Sequence, residues 1–315
     1  MDSTGVEWRG SFSAIVTPFL ESGELNESAI KANVRMSVDE GSHGLVIVGH
    51  NGEAHLMSDD ERMRVVEIAL EEAGGCIPVL AGTGGIRTES VIRLSKRAEA
   101  LGVDGVMVEA PYFMTPKAGD LIAHFARISD AIATPIMVYN NPARSGVDLD
   151  IALMREISSR ANVVAIKETS TSFERIVRLV LNLGQQLKVF VGPSRLFGLA
   201  GVQMGASGFV DGMSQIVGRS ASLFYECAAT PERVVAAIDL QRELFQLGEL
   251  LFHSSGTSPA TIKDAMRLLD RPGGYPRSPL RAMQGEELQR FDREMRKLNI
   301  IRQVSREPQH CESHA

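Results

Sequence analysis

Residues 162–168 read NVVAIKE, a short β-branched apolar run that ends on a single lysine. Such a run suits a strand buried on both faces, as in a parallel sheet. Lysine is rarely buried without a reason, and Lys167 stands where the apolar run gives out. In an α/β barrel the C-terminal end of a strand is where catalytic groups stand. A lysine desolvated there is held less firmly in its charged form, so its pKa falls below the usual value of about 10.4. The neutral amine can then attack a carbonyl and form an imine. A plainer reading competes on position alone: a strand-end lysine that snorkels to water or pairs with Glu168.

Outward from this stretch the pattern repeats. Strands are expected at Ser11–Phe19, Gly44–Gly49, Ile77–Gly82, Gly105–Pro111, Pro135–Pro142, Leu187–Gly192 and Ser207–Gly212, besides NVVAIKE itself. Between and after them lie helical patterns. These run from Asn26 or Ser28 to about Glu40, from Ser58 to Gly74-Gly75, and over Thr88–Leu101, Lys117–Ile132 and Asp148–Ser159. Three more run from Ser170 or Thr171 to Leu183, over Ser194–Met204, and over Ser214–Ala228. Strands that alternate with helices pair in parallel. Eight such units predict an α/β fold, a (β/α)8 TIM barrel. A doubly wound sheet would carry a glycine-rich turn after its first strand. Here that place holds VTPFLESGELN, and the glycines of AGTGGIR follow the third strand instead.

Residues 1–229 are thus expected to form the barrel. Residues 230–306, rich in apolar positions at three- and four-residue spacing, are expected to form a C-terminal helical extension. The polar tail 307–315 is expected to be disordered.

Composition narrows the function. The chain has 315 residues, 44% hydrophobic and 23% charged, with a formal charge of −6. An acidic chain without a basic patch argues against nucleic acid or an anionic membrane surface as partner. Three scattered cysteines, Cys76, Cys227 and Cys311, fit a reducing compartment better than a disulfide framework. The opening MDSTGVEWRG is acidic and polar, so no signal peptide is expected. No run approaches the ~18 apolar residues of a membrane span. A cytoplasmic location is the expectation. The histidines lack metal-ligand spacing and Asp211 stands alone, so no metal is expected.

If strand ends face the site, Lys167 has a notable neighbour. Tyr139 ends the strand one βα unit earlier, and adjacent strands lie about 4.8 Å apart. A phenol there could exchange protons at an imine carbon or its oxygen. The rival reading is a half-buried strand tyrosine whose hydroxyl bonds backbone.

At this point the chain resembles the pyruvate-dependent class I aldolase family of dihydrodipicolinate synthase and N-acetylneuraminate lyase. The matching motifs are AIVTPF at Ala14–Phe19, GxxGE at Gly49–Glu53 and YNxPxR[ST]G at Tyr139–Gly146. The signature [IV]-K-[ED]-[ST] falls at Ile166–Thr169, and RxPL at Arg277–Leu280. The resemblance implies that Lys167 forms an imine with the 2-keto group of pyruvate or a related 2-keto acid, and that Tyr139 is its acid/base. It implies that His50 and Asn51 bind the pyruvate carboxylate and that Arg144 holds a carboxylate of the second substrate. Val210 would line the site with its backbone carbonyl. Phe113 and Gly192 are further candidates. No cofactor is implied beyond the covalent imine, and a homotetramer or dimer is expected.

The departures are as informative. His50 stands where the synthase normally has a threonine of a proton relay. Phe113 matches the relay tyrosine that reaches across from a neighbouring subunit. Two relay hydroxyls are therefore missing. His50 either replaces an acid/base group or shapes the pocket. Asn51 resembles the GSNGE of 4-hydroxy-2-oxoglutarate aldolase relatives. The expectation is an imine-forming lyase like the synthase, but with an altered relay, and with aspartate semialdehyde either not its aldehyde partner or a poor one. Alternatives are a 4-hydroxy-2-oxoglutarate or 2-keto-3-deoxy sugar acid aldolase or dehydratase, and a non-catalytic paralogue that binds 2-keto acids. A phosphate-binding barrel isomerase, with glycine-rich loops after strands seven and eight, is a more distant rival.

Overall fold

A computed structural model describes residues 5–160, 162–253 and 258–304. Eight parallel strands close into a barrel in chain order. They are β1 (Gly10–Ala14), β2 (Gly44–Ile47), β3 (Val79–Gly82), β4 (Gly105–Glu109), β5 (Ile136–Asn140), β6 (Val163–Glu168), β7 (Lys188–Val191) and β8 (Gly208–Asp211). The barrel closes where β8 pairs with β1, Val210 opposite Phe12. A helix follows each strand, and four more helices, Val234–His253, Ser258–Leu268, Gly285–Met295 and Asn299–Val304, come after the last. The chain is a (β/α)8 TIM barrel with C-terminal helices.

The strands read as apolar runs because both of their faces are buried. Along β6, Ala165 joins Phe12, Leu80, Met107, Met137 and Phe190 in the barrel interior. Ile166 packs outward against the helices, as does Val163, which precedes a register shift opposite Ile136 and Met137. Side chains alternate sides along a strand, so Lys167 shares the inner face with Ala165, and Glu168 takes the outer one.

The first strand is shorter than expected. Pairing stops at Ala14, and Ile15 donates its N–H to Val46 O at 3.0 Å. Pro18 brings no N–H to a ladder, and the stretch ends at Phe19, which forms single antiparallel bridges with Leu25 and Tyr275. The helix expected from Asp148 begins at Ile151, capped by Asp150. Asp148 instead accepts a hydrogen bond from Asn140 Nδ2 at 3.0 Å. The helix after β6 is capped by Ser172, whose hydroxyl accepts from the Arg175 N–H, rather than by Ser170 or Thr171. The last helical stretch is broken in two, which lets Met295, Ile300 and Ile301 all enter one buried cluster. The tail 307–315 and Cys311 lie outside the described residues. Among the described residues no helix is long and apolar enough to cross a membrane, and no three His, Cys, Asp or Glu side chains converge to hold a metal.

Candidate active site

Lys167 and Tyr139 are partners in the β5–β6 register, and the lysine Nζ lies 4.5 Å from the centre of the tyrosine ring. Lys167 is 7% exposed. Burial lowers its pKa to about 8, although the charges of Asp211 and Glu109 pull the other way. Glu168 does not neutralise it. That carboxylate, on the outer face, accepts from Asn140 Nδ2 at 2.9 Å and from the Ser170 N–H at 2.6 Å, with Arg175 Nε 3.5 Å away. The plainer reading, a lysine paired with its sequence neighbour, is not what the chain does. The Tyr139 hydroxyl accepts from Asn141 Nδ2 at 2.7 Å, and burial raises the phenol above its usual range.

A cavity of about 160 Å³ opens over the lysine, with Tyr139, Asn51, Gly192 and Val210 among its lining residues. Gly192 has a steric reason to be glycine: a Cβ there would meet Thr169 Oγ1 at 2.1 Å. Asp211, at the end of β8, is fixed by the Ser194 hydroxyl and by the N–H groups of Met213 and Ser214, and burial raises its pKa.

The loop after β2 carries His50 and Asn51. Val48 before it and Glu53 at its end have φ values of 46° and 55°. A β-branched residue in the left-handed region is held there at a cost of about 1–3 kcal/mol. Asn51 packs on Gly212, where a Cβ would come within 2.4 Å of its Nδ2. Burial first, then the Arg144 charge, lowers His50 to about 4, so its imidazole is neutral at pH 7. It stacks on His55 with ring centres 6.0 Å apart. His50 can therefore donate or accept a hydrogen bond there, but it brings no charge. Arg144 rides on a helical turn, Pro142–Ser145, that the sequence patterns did not suggest. Proline starts the turn and Gly146 ends it at φ 71°. The Arg144 side chain is exposed at the rim, and no acidic side chain among the described residues pairs with it.

The chain as a whole has known counterparts. A family model described as the dihydrodipicolinate synthetase family matches residues 7–298. The chain belongs to that family. It is 34% identical over 280 residues to 4-hydroxy-tetrahydrodipicolinate synthase 1 of Halalkalibacterium halodurans, covering 89% of this chain and 94% of that one. It is 35% identical to the synthase of Bradyrhizobium diazoefficiens, covering 87% and 91%. Among solved structures, the dihydrodipicolinate synthase of Aquifex aeolicus superposes with a TM-score of 0.87 at 29% identity, covering 93% of this chain and 99% of that one. The synthase of Acinetobacter baumannii, solved with pyruvate bound, gives 0.87 at 27% identity, with 93% and 99% covered. This dihydrodipicolinate synthetase family member is accordingly a lyase of the class I aldolase type.

In this family member the C-terminal helices reach into the site. Glu53 and Lys263 are both fully buried and form an ion pair. Lys263 also donates to Tyr275 O at 2.9 Å, and Glu53 accepts the Arg277 N–H at 2.9 Å. Arg277 in turn grips Gly23 O, Leu56 O and the Glu61 carboxylate. The His50–Asn51 loop is thus clamped by residues more than two hundred positions away in the chain. Of this clamp the sequence offered only the RxPL motif, with no hint of what it touches.

A second cavity of about 270 Å³ adjoins the first, sharing His50, Tyr139 and Arg144 and adding Arg62, Glu109 and Tyr112. Sequence reasoning missed Glu109, although its signal matched that of Lys167: a lone charge closing an apolar strand, GVMVE. Arg62 gave no signal, because it sits in the acid-rich first turn of its helix. Phe113 is not brought to either cavity in the single chain. It is 95% exposed, with φ 68°.

Proposed function

We propose that Lys167 forms an imine with pyruvate or a related 2-keto acid and that the enzyme makes or breaks a bond at the carbon next to it. The observation that carries this reading is the buried Lys167 amine, unpaired among the described residues and held over the ring of Tyr139. The neutral amine adds to the keto carbon. Tyr139 passes a proton to the carbinolamine oxygen, which leaves as water, and the imine remains. The Tyr139 phenolate then takes a proton from the methyl carbon to give an enamine, which attacks the carbonyl of an aldehyde, and the same phenol returns a proton to the new alkoxide oxygen. Water then hydrolyses the imine and frees the lysine. In the cleavage direction the same steps run backwards and release pyruvate. His50 and Asn51 bind the keto-acid carboxylate, Arg144 a carboxylate of the second substrate, and Val210 and Gly192 shape the wall. No cofactor is needed in this reading, since the protonated imine formed on Lys167 is the electron sink. The barrel and its C-terminal helices act as one unit in this reading, with the clamp on the loop as the link.

The aldehyde is not aspartate semialdehyde, or is that compound only poorly. His50 and Phe113 bring no hydroxyls to the positions where the synthase has its threonine and second tyrosine. Borohydride reduction in the presence of pyruvate tests the first step: a mass adduct should map to the peptide that holds Lys167, and an adduct elsewhere or none refutes the imine. Steady-state kinetics with pyruvate and aspartate semialdehyde test the second. Turnover at the efficiency of the synthases would refute the altered partner.

A further inference from the structure

The cavity beyond Tyr139 holds two ionisable groups that the imine chemistry does not use. The Glu109 carboxyl, half-buried at the end of β4, has no hydrogen-bonding or ion-pairing side chain among the described residues. It projects over Gly84, where a Cβ would fall 2.0 Å from Glu109 Oε2. Room for the carboxyl therefore exists only because residue 84 is glycine. Burial pushes Glu109 above the usual carboxylate range, against the pull of Arg62 and Lys167.

Arg62 is 8% exposed and donates to two backbone carbonyls, Gly82 O at 2.6 Å and Gly84 O at 3.3 Å. Its Nε is buried with no partner, and it pairs with no acid among the described residues. The Glu109 and Asp59 charges act on it without contact, so its remaining donor capacity is open to a ligand. With Arg144 it gives the cavity two cationic groups, so the cavity suits an anion.

We propose that Glu109 and Arg62 read the far end of the second substrate: Arg62, together with Arg144, binds an anionic terminus, and Glu109 hydrogen-bonds a hydroxyl between that terminus and the reacting carbonyl. The partner is then a hydroxylated, anionic aldehyde of a few carbons. This inference rests on the imine reading above and adds the identity of the partner. A hydroxyl fits better than an ammonium group at the same carbon. A carboxyl can accept from or donate to a hydroxyl there. Two guanidinium groups on the same wall also repel a cation. Tyr112, Ser145 and the neutral His55 supply further uncharged partners along that wall.

The test uses the full-length enzyme and three 2-keto-4-hydroxy acids, with pyruvate release as readout: one ending in methyl, one ending in carboxylate, and one ending in carboxylate with an added 5-hydroxyl. The 5-hydroxy dicarboxylate should be cleaved with a kcat/KM about tenfold or more above that of the plain dicarboxylate, since a polar group built to meet a hydroxyl rejects its absence. Glu109→Leu should abolish this ratio, mainly through KM, and Glu109→Gln should restore part of it. Arg62→Met should raise KM for both dicarboxylates and leave the methyl acid unaffected. Each acid's protection of Lys167 from borohydride trapping by pyruvate gives the same ranking as affinity, independent of turnover. Trapping by pyruvate alone should persist in all three variants, which separates failure here from failure of the imine. Equal handling of the two dicarboxylates by the wild type, or a ratio unchanged in Glu109→Leu, overturns the proposal.

Discussion

The Lys167 amine lies 4.5 Å from the centre of the Tyr139 ring, across a strand pair that sets the two residues in register. The ring covers the amine on one side and excludes water there, and the hydroxyl at its edge points towards Asn141. In the proposed mechanism one aromatic side chain thus both desolvates the nucleophile and offers the proton.

The first expectation concerns pH. With a pKa near 8, about a tenth of Lys167 is neutral at pH 7, against fewer than about one in a thousand for an ordinary lysine. The initial rate of borohydride-trapped pyruvate adduct should climb between pH 6 and 8 and level off above it. A rate that keeps rising to pH 10 would show an unperturbed amine.

Tyr139→Phe keeps the ring and removes only the hydroxyl. Turnover should fall by about 10²- to 10⁴-fold, the usual range for one general acid/base group. The imine should still form with pyruvate, more slowly. Turnover within a few fold of wild type would remove Tyr139 from the chemistry.

The same desolvation that activates Lys167 strains the fold. Its folded pKa is below the unfolded one, so the unfolded chain holds the proton more tightly. The resulting destabilisation is fully present below about pH 8 and is relieved as pH rises from there towards about 10.4. Lys167→Met should therefore stabilise the protein at pH 7 by on the order of 1–3 kcal/mol, with the gain shrinking by pH 10. Urea melts at the two pH values decide it, and a gain that is equal at both would point to packing instead.

The Glu53–Lys263 pair makes a different demand. Either Glu53→Gln or Lys263→Met leaves the other member buried without its counter-charge, a loss of about 3–5 kcal/mol. Combining the two should cost less than the sum of the single changes. Pyruvate affinity should stay weakened in the double variant, because the loop that holds His50 and Asn51 has lost its anchor. Additive losses in a thermal-unfolding cycle would mean the pair is not coupled.

Much of this architecture was legible in the sequence because the physics is local. A strand apolar on both faces shows itself without its neighbours, and a charge such as Lys167 at its end shows equally well. What stayed hidden depends on tertiary contact. The turn that carries Arg144 is only four residues long, too short for periodicity to register. The true extent of β1 depended on Phe19 finding Tyr275 far away. Ser170, Thr171 and Ser172 are chemically near-equivalent as caps, and packing selected the third. Glu109 is visible in principle, a lone charge two residues before the Pro111 that closes the expected strand.

The clamp on the His50–Asn51 loop also imposes an order on how the molecule becomes competent. Synthesis runs from the N-terminus, and everything needed to close the barrel wall is present once β8 has left the ribosome. The β5–β6 pairing that sets Lys167 beside Tyr139 can form at that moment, whereas Glu53 still lacks the lysine that neutralises it in the finished chain. Its counter-ion arrives only with Lys263, and the guanidinium that ties down the neighbouring turn only with Arg277. On the proposed mechanism a nascent chain would thus own a nucleophile before it owns a place to seat the keto acid, so the amine would gain its substrate only when nearly the whole polypeptide has been made.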